Sequence, residues 1–139
     1  MKKIYLIGAL KNPNIRTLAT QLRCFGYDVF DDWHAAGEFA DTIWQDYEKE
    51  RGRTYVQAVK GFHAQHALAF DKFHLDRCDI AIVVMPSGKS AGIELGYCIG
   101  QGKKVYVLLD GEPERYDLMY GMATDIFENK EQLLKCLVG

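Results

Sequence analysis

The segment Asp79–Met85 (DIAIVVM) narrows most what this chain can fold into. It is an unbroken apolar run, largely β-branched, bracketed by an aspartate and Pro86. A strand with one wetted face alternates apolar and polar residues, whereas an unbroken run suits a strand covered on both faces, as in a parallel sheet flanked by helices. The remaining segments supply such a sheet. Lys3–Gly8 (KIYLIG) reads as a first strand. Asn12 reads as an N-cap with Pro13 at the first helical position, followed by a stripe of Ile15, Leu18, Ala19 and Leu22 that stops at Gly26. Tyr27–Phe30 reads as a short strand leading into a loop, DDWHAAGEF. Thr42 to about Arg77 reads as helical, with Gly52 ending a first helix and a longer one running from about Thr54. Beyond Met85 come a loop (PSGKSAG), a helix (IELGYCIGQG) ending at Gly102, a strand Val105–Leu109, a short strand Asp125–Phe127, and a last helix capped by Asn129.

Strands alternating with helices predict an α/β fold: a flavodoxin-like, doubly wound, five-stranded parallel sheet of order 2-1-3-4-5 with helices on both faces. The length of 139 residues suits one domain spanning 1–139. Lys+Arg number 17 and Asp+Glu 19, a net charge of −2 that offers no broad footprint for duplex nucleic acid or an anionic membrane. No apolar stretch approaches the roughly 20 residues of a membrane span. The opening MKKIYLIGAL fits a strand better than a signal peptide, so a cytoplasmic protein is expected. Cys24, Cys78, Cys98 and Cys136 are scattered without CxxC spacing and read as reduced thiols, the helical ones as small buried hydrophobes. His63 and His66 share a helical face, but no carboxylate or Cys stands at matching spacing, so no metal is expected.

Open α/β sheets bind ligands beyond the carboxyl ends of the strands, where strand order reverses. In the predicted order that point lies between the first and third strands, at Gly8-Ala9-Leu10 and Pro86–Glu94. Ser87, Gly88, Ser90 and Gly92 there provide hydroxyl donors, close backbone approach and amides at a helix start, a setting for an anion, with Lys89 adding charge. Neither GxxxxGK[ST] nor GxGxxG occurs, so neither a P-loop nor a Rossmann dinucleotide site is expected. Glu94 follows between Gly92 and Gly96, small neighbours that leave room above a carboxylate, as a nucleophile requires. Glycosyl transfer would need a second carboxyl group, for which Asp71 near the end of the long helix is the candidate; Asp76 and Asp79 read as solvated end residues.

Three stretches, KIYLIGAL, FDKFHLDRCDIAIVV and GIELGYCIGQGKKVYVLL, together resemble the nucleoside 2-deoxyribosyltransferase family, which includes the nucleoside 5′-monophosphate N-glycosidases. The resemblance runs from Lys3 to about Leu109, and G-x-E-L-G-Y followed by GK and an apolar strand is its most specific element. It implies that Tyr5, Asp71 and Glu94 are the strand-one tyrosine, the helix aspartate and the glutamate nucleophile. It also implies a flavodoxin-like fold, no metal or other cofactor, and homo-oligomers whose sites borrow residues from a neighbour. Read bottom-up, Tyr5 could equally be a core aromatic of its strand.

Departures from the family pattern separate its two branches. The transferases commonly carry an acid before the nucleophile to bind a sugar 5′-hydroxyl, but no acid lies between Ile80 and Ile93 here. Ser87, Lys89 and Ser90 stand there instead, and such groups donate to a phosphate that an acid would repel. The stretch LMYGMATDIF also lacks the asparagine that transferases extend to a neighbouring site. The expected substrate is therefore a nucleoside 5′-monophosphate, with base exchange on free deoxynucleosides as the alternative. An NAD-cleaving enzyme and a non-catalytic nucleotide sensor could use the same pocket; a phosphorelay receiver is excluded, since its acid pair and phospho-acceptor are missing. Trp33 could stack on a base with Asp32 on the base edge, or the two could cover the sheet edge and cap a helix. Trp44, Tyr47 and Arg51 read as a packing face, and no role is assigned to His34 or His74.

Overall fold

A computed structural model describes all 139 residues and contains one five-stranded sheet of order β2-β1-β3-β4-β5. The strands are β1 (Lys3–Ile7), β2 (Asp28–Phe30), β3 (Ile80–Val84), β4 (Lys104–Leu108) and β5 (Asp125–Phe127). Each neighbouring pair is parallel. The helices are α1 (Asn14–Cys24), α2 (Ala40–Glu50), α3 (Tyr55–Val59), α4 (Phe62–Arg77), α5 (Lys89–Gly100) and α6 (Lys130–Val138). Every residue of β3 is buried, as its unbroken apolar run requires. No helix is long and apolar enough to cross a membrane.

The period-two alternation of strand side chains divides the core into two layers. Ile4, Leu6, Ile80, Ile82 and Val84 face one way, against Ile15, Leu18 and Leu22 of α1 and Leu133 of α6. Tyr5, Ile7, Ala81, Val83, Val105 and Val107 face the other way, against Leu75 of α4 and Ala91, Leu95 and Cys98 of α5. Tyr5 thus belongs to the layer that packs on α4 and α5, the helices that carry Asp71 and Glu94.

Several local expectations change. The loop after β2 contains a 3-10 helix, Asp32–Ala36. The stretch expected as one long helix from about Thr54 is divided: Thr54 starts the short α3 with a reciprocal capping box to Gln57, and Gly61 starts α4. Gly52 ends α2 with φ +72°, a conformation that favours glycine. The loop before Glu94 is shorter than expected, since α5 begins at Lys89 and takes in Ser90 and Gly92. Asp76 is not simply solvated: it accepts hydrogen bonds from the Tyr97 hydroxyl and from Gln101, at 3.0 Å for Gln101. All four cysteines are free, but only Cys78 and Cys98 are buried; Cys24 and Cys136 are exposed. Tyr47 of α2 is exposed, with Arg51 over its ring at 5.3 Å, whereas Trp44 is half-buried with its indole nitrogen covered, so only part of the expected face packs within the chain.

Candidate active site

Tyr5, Asp71 and Glu94 come from three elements, β1, α4 and α5, and converge on one side of the sheet. Strand β1 fixes Tyr5, whose ring is 1% exposed and packs on Phe30 at a centroid distance of 5.0 Å. Its hydroxyl lies near the Glu94 carboxyl, and Asp71 lies close enough to both that its charge acts on each. Burial is the main reason that the Glu94 carboxyl is pushed up to about 7; the Asp71 charge pushes the same way, and the hydrogen bond from Tyr5 opposes it. Burial likewise raises Asp71 above the ordinary carboxylate range. The Tyr5 phenol is raised by burial and by the two acids, so it stays protonated and donates. The arrangement is one buried donor between two carboxyl groups that ionise reluctantly, a pattern suited to proton transfer and nucleophilic attack.

The helices bearing the acids are tied together below the site. Lys103, just past α5, donates its ammonium to the Asp76 carbonyl at 2.7 Å and to the Leu75 carbonyl, closing the C-terminal end of α4. Tyr97 of α5 and Gln101, just past it, hold the Asp76 side chain in the same place. This strut fixes the spacing of α4 and α5 near the sheet and so constrains where Asp71 and Glu94 can sit.

Above the carboxyl ends of β1 and β3 the backbone is crowded on one side and open on the other. A Cβ on Gly8 would lie 2.8 Å from the Ile15 side chain and 3.2 Å from the Val84 carbonyl, so Gly8 is demanded by packing. Gly88, Gly92 and Gly96 have nothing within 4 Å of the corresponding position. Gly88 opens α5 without a side-chain cap, Ser90 and Lys89 are exposed in its first turn, and Ser87 is half-buried with its hydroxyl 3.3 Å from the Met85 sulfur. First-turn amides without a side-chain cap are the groups that an anion satisfies.

Trp33 and Asp32 sit in the 3-10 helix after β2. Strand β2 pairs with β1 only as far as Tyr5, and the Trp33 indole N–H takes the next carbonyl, Leu6, at 2.9 Å. Trp33 is half-buried and packs on both core layers, while Asp32 is exposed. A cleft of about 250 Å³ along this edge is lined by Phe30, Phe70, His74 and Arg77 among others, and none of Tyr5, Asp71 and Glu94 lines it.

The sequence reading left out His34 and the second role of Asn12. Arg16 donates to His34 Nδ1 at 3.0 Å, which leaves the ring proton on Nε2, 3.1 Å from the Asn12 carbonyl. Helix α1 begins one residue later than expected, at Asn14 with Pro13 before it, and the Asn12 side-chain oxygen accepts from the Asn14 amide at 3.0 Å. Its amide nitrogen also lies 3.3 Å from the carbonyls of Val84 and Met85 and 3.5 Å from that of Pro86. Nothing local in the sequence marks this contact, which spans 72 residues to Val84.

No protein-family model and no curated protein matches the sequence. Solved structures share the fold, two enzymes among them. The 2-deoxyribosyltransferase from the psychrotolerant bacterium Bacillus psychrosaccharolyticus is 19% identical, with a TM-score of 0.65 over 94% of this chain and 89% of that one. The CMP N-glycosidase BcmB of Clostridium botulinum is also 19% identical, with a TM-score of 0.59 over 98% of both chains.

Proposed function

We propose that this chain hydrolyses the N-glycosidic bond of a nucleoside 5′-monophosphate, releasing the free base and a ribose or deoxyribose 5-phosphate. The observation that carries the reading is the convergence of Tyr5, Asp71 and Glu94 beside the point where the strand order reverses. The likeness in fold to a 2-deoxyribosyltransferase and to a CMP N-glycosidase supports it. In the first step a Glu94 carboxylate oxygen bonds to the anomeric carbon while the carbon–nitrogen bond breaks and its electron pair leaves with the base. Asp71, held toward its protonated form by burial, gives its proton to that base. The Tyr5 hydroxyl orients the Glu94 carboxyl throughout. Water then loses a proton to the Asp71 carboxylate and attacks the anomeric carbon, which frees the sugar phosphate and restores Glu94.

The acid-free stretch from Ile80 to Ile93 supports a phosphate-bearing substrate. Ser87, Gly88, Ser90 and the first-turn amides of α5 would hold the phosphate, and the open space at Gly92 would admit the sugar. Trp33 and Asp32 would meet the base. Base exchange on free deoxynucleosides is the second reading, favoured by the deoxyribosyltransferase likeness. A second copy of the chain would complete the site: Phe62 is 96% and Phe73 61% exposed on α4, the helix that carries Asp71.

Base release from nucleoside 5′-monophosphates and the matching nucleosides, with wild type and Glu94→Ala, tests the proposal. Release from the monophosphates that disappears in Glu94→Ala is expected. Release that survives the substitution overturns the role of Glu94, and exchange of bases on free nucleosides alone would establish the second reading.

A further inference from the structure

The Asn12 side chain is 4% exposed and has every polar group engaged. Its backbone N–H donates to the Ala9 carbonyl at 3.0 Å, its carbonyl accepts from His34, its side-chain oxygen caps α1, and its side-chain nitrogen faces the carbonyls of residues 84–86. One residue thereby joins the segment leaving β1, the start of α1, the 3-10 helix after β2 and the segment leaving β3. The last of these continues through Ser87 and Gly88 into α5 and Glu94. Gly8, pressed against Ile15 and the Val84 carbonyl, closes the same junction from the other side.

We infer that Asn12 is a positioning residue for substrate binding, fixing the Met85–Gly88 loop so that its hydroxyl and the amide donors at the start of α5 meet the 5′-phosphate. The inference rests on the proposed nucleotide reading, because it is this loop that would hold the phosphate. Asparagine fits because a single side chain must accept at the helix start and donate toward the loop at once. Serine and aspartate can both cap a helix, but serine is too short to reach the loop and aspartate has no N–H to give. Each therefore separates the capping role from the loop role. Arg16 and His34 back the clamp from behind by fixing the Asn12 main chain.

The test compares wild type, Asn12→Ser and Asn12→Asp for ribose 5-phosphate affinity by calorimetry and for KM and kcat of base release. Thermal unfolding confirms that at least the neutral serine variant is folded. Each variant is expected to bind ribose 5-phosphate about tenfold more weakly, the worth of about one net hydrogen bond, with the loss falling on KM more than on kcat. Wild-type affinity in the folded variants, a loss confined to kcat, or no binding of ribose 5-phosphate by wild type overturns the inference. Binding that depends on Asn12 without base release from any nucleotide would uphold the loop role and sink the hydrolase reading. Base release with Asn12 variants indistinguishable from wild type would do the reverse.

Discussion

Glu94 carries a stability cost that follows from its place in the fold. Its pKa is raised from 4.5 to about 7, so the folded state holds that proton more tightly than the unfolded chain. The associated stability is full below about pH 4.5 and is lost as pH rises through about 7, on the order of 3 kcal/mol. Glu94→Gln removes the charge and keeps the shape. Its melting temperature is expected to exceed that of wild type by about 10 °C at pH 8, with little difference at pH 4. Calorimetric melts at both pH values check this. The same ionisation governs attack, while Asp71 must keep its proton for departure of the base, so kcat/KM for base release is expected to be bell-shaped, with the rising limb set by Glu94 near 7 and the falling limb by Asp71. Tyr5→Phe removes the hydrogen bond that pulls Glu94 downward, so its rising limb is expected at higher pH than in wild type. Asp71→Asn is expected to cost about a hundredfold or more in kcat, as loss of a general acid does. Of this site the sequence made Glu94 legible through its glycine neighbours and Asp71 only as one of several acids. Tyr5 was singled out only by the family resemblance; its own strand context fits a core aromatic as well, because its neighbours at the site come from α4 and α5 folding back over β1.

At the level of elements, the two kinds of glycine near the site make opposite demands. Gly8→Ala would press a methyl group onto Ile15 and the Val84 carbonyl and is expected to destabilise by about 1–3 kcal/mol. Gly92→Ala enters open space inside α5 and is expected to stabilise by about 0.5–1 kcal/mol while lowering base release, because its methyl group stands where the sugar would enter. Denaturant titrations and assays of both variants check the pair. The strands were legible because burial on both faces writes itself into β3 and because α1 carries a clean apolar stripe. The helix start at about Thr54 agrees with the Thr54-x-x-Gln57 capping box, but the break at Gly61 was missed, because helical composition on both sides of it outweighed a single glycine. The 3-10 helix after β2 was read as a loop. Its order depends on the Trp33 bond to Leu6 and the His34 bond to Asn12, contacts 27 and 22 residues apart.

For the whole molecule, the sheet is well covered but the outer face of α4 is not. Only Ala64 and Leu75 of that helix are buried, while Phe62, Phe70 and Phe73 are exposed on the side turned away from them. An apolar face of this kind on the helix that carries the acid suits a contact with a second copy. Phe62→Asp with Phe73→Asp is expected to yield a folded monomer by sedimentation and to lose most base release; unchanged association would show that the contact lies elsewhere. The central claim is attack by Glu94 with a covalent glycosyl intermediate, and two displacements at one carbon retain its configuration. Base release in aqueous methanol tests this most directly, because the methyl glycoside 5-phosphate that forms keeps its configuration for NMR. The β-methyl glycoside is predicted from a β-nucleotide, and the α-methyl glycoside would contradict the account.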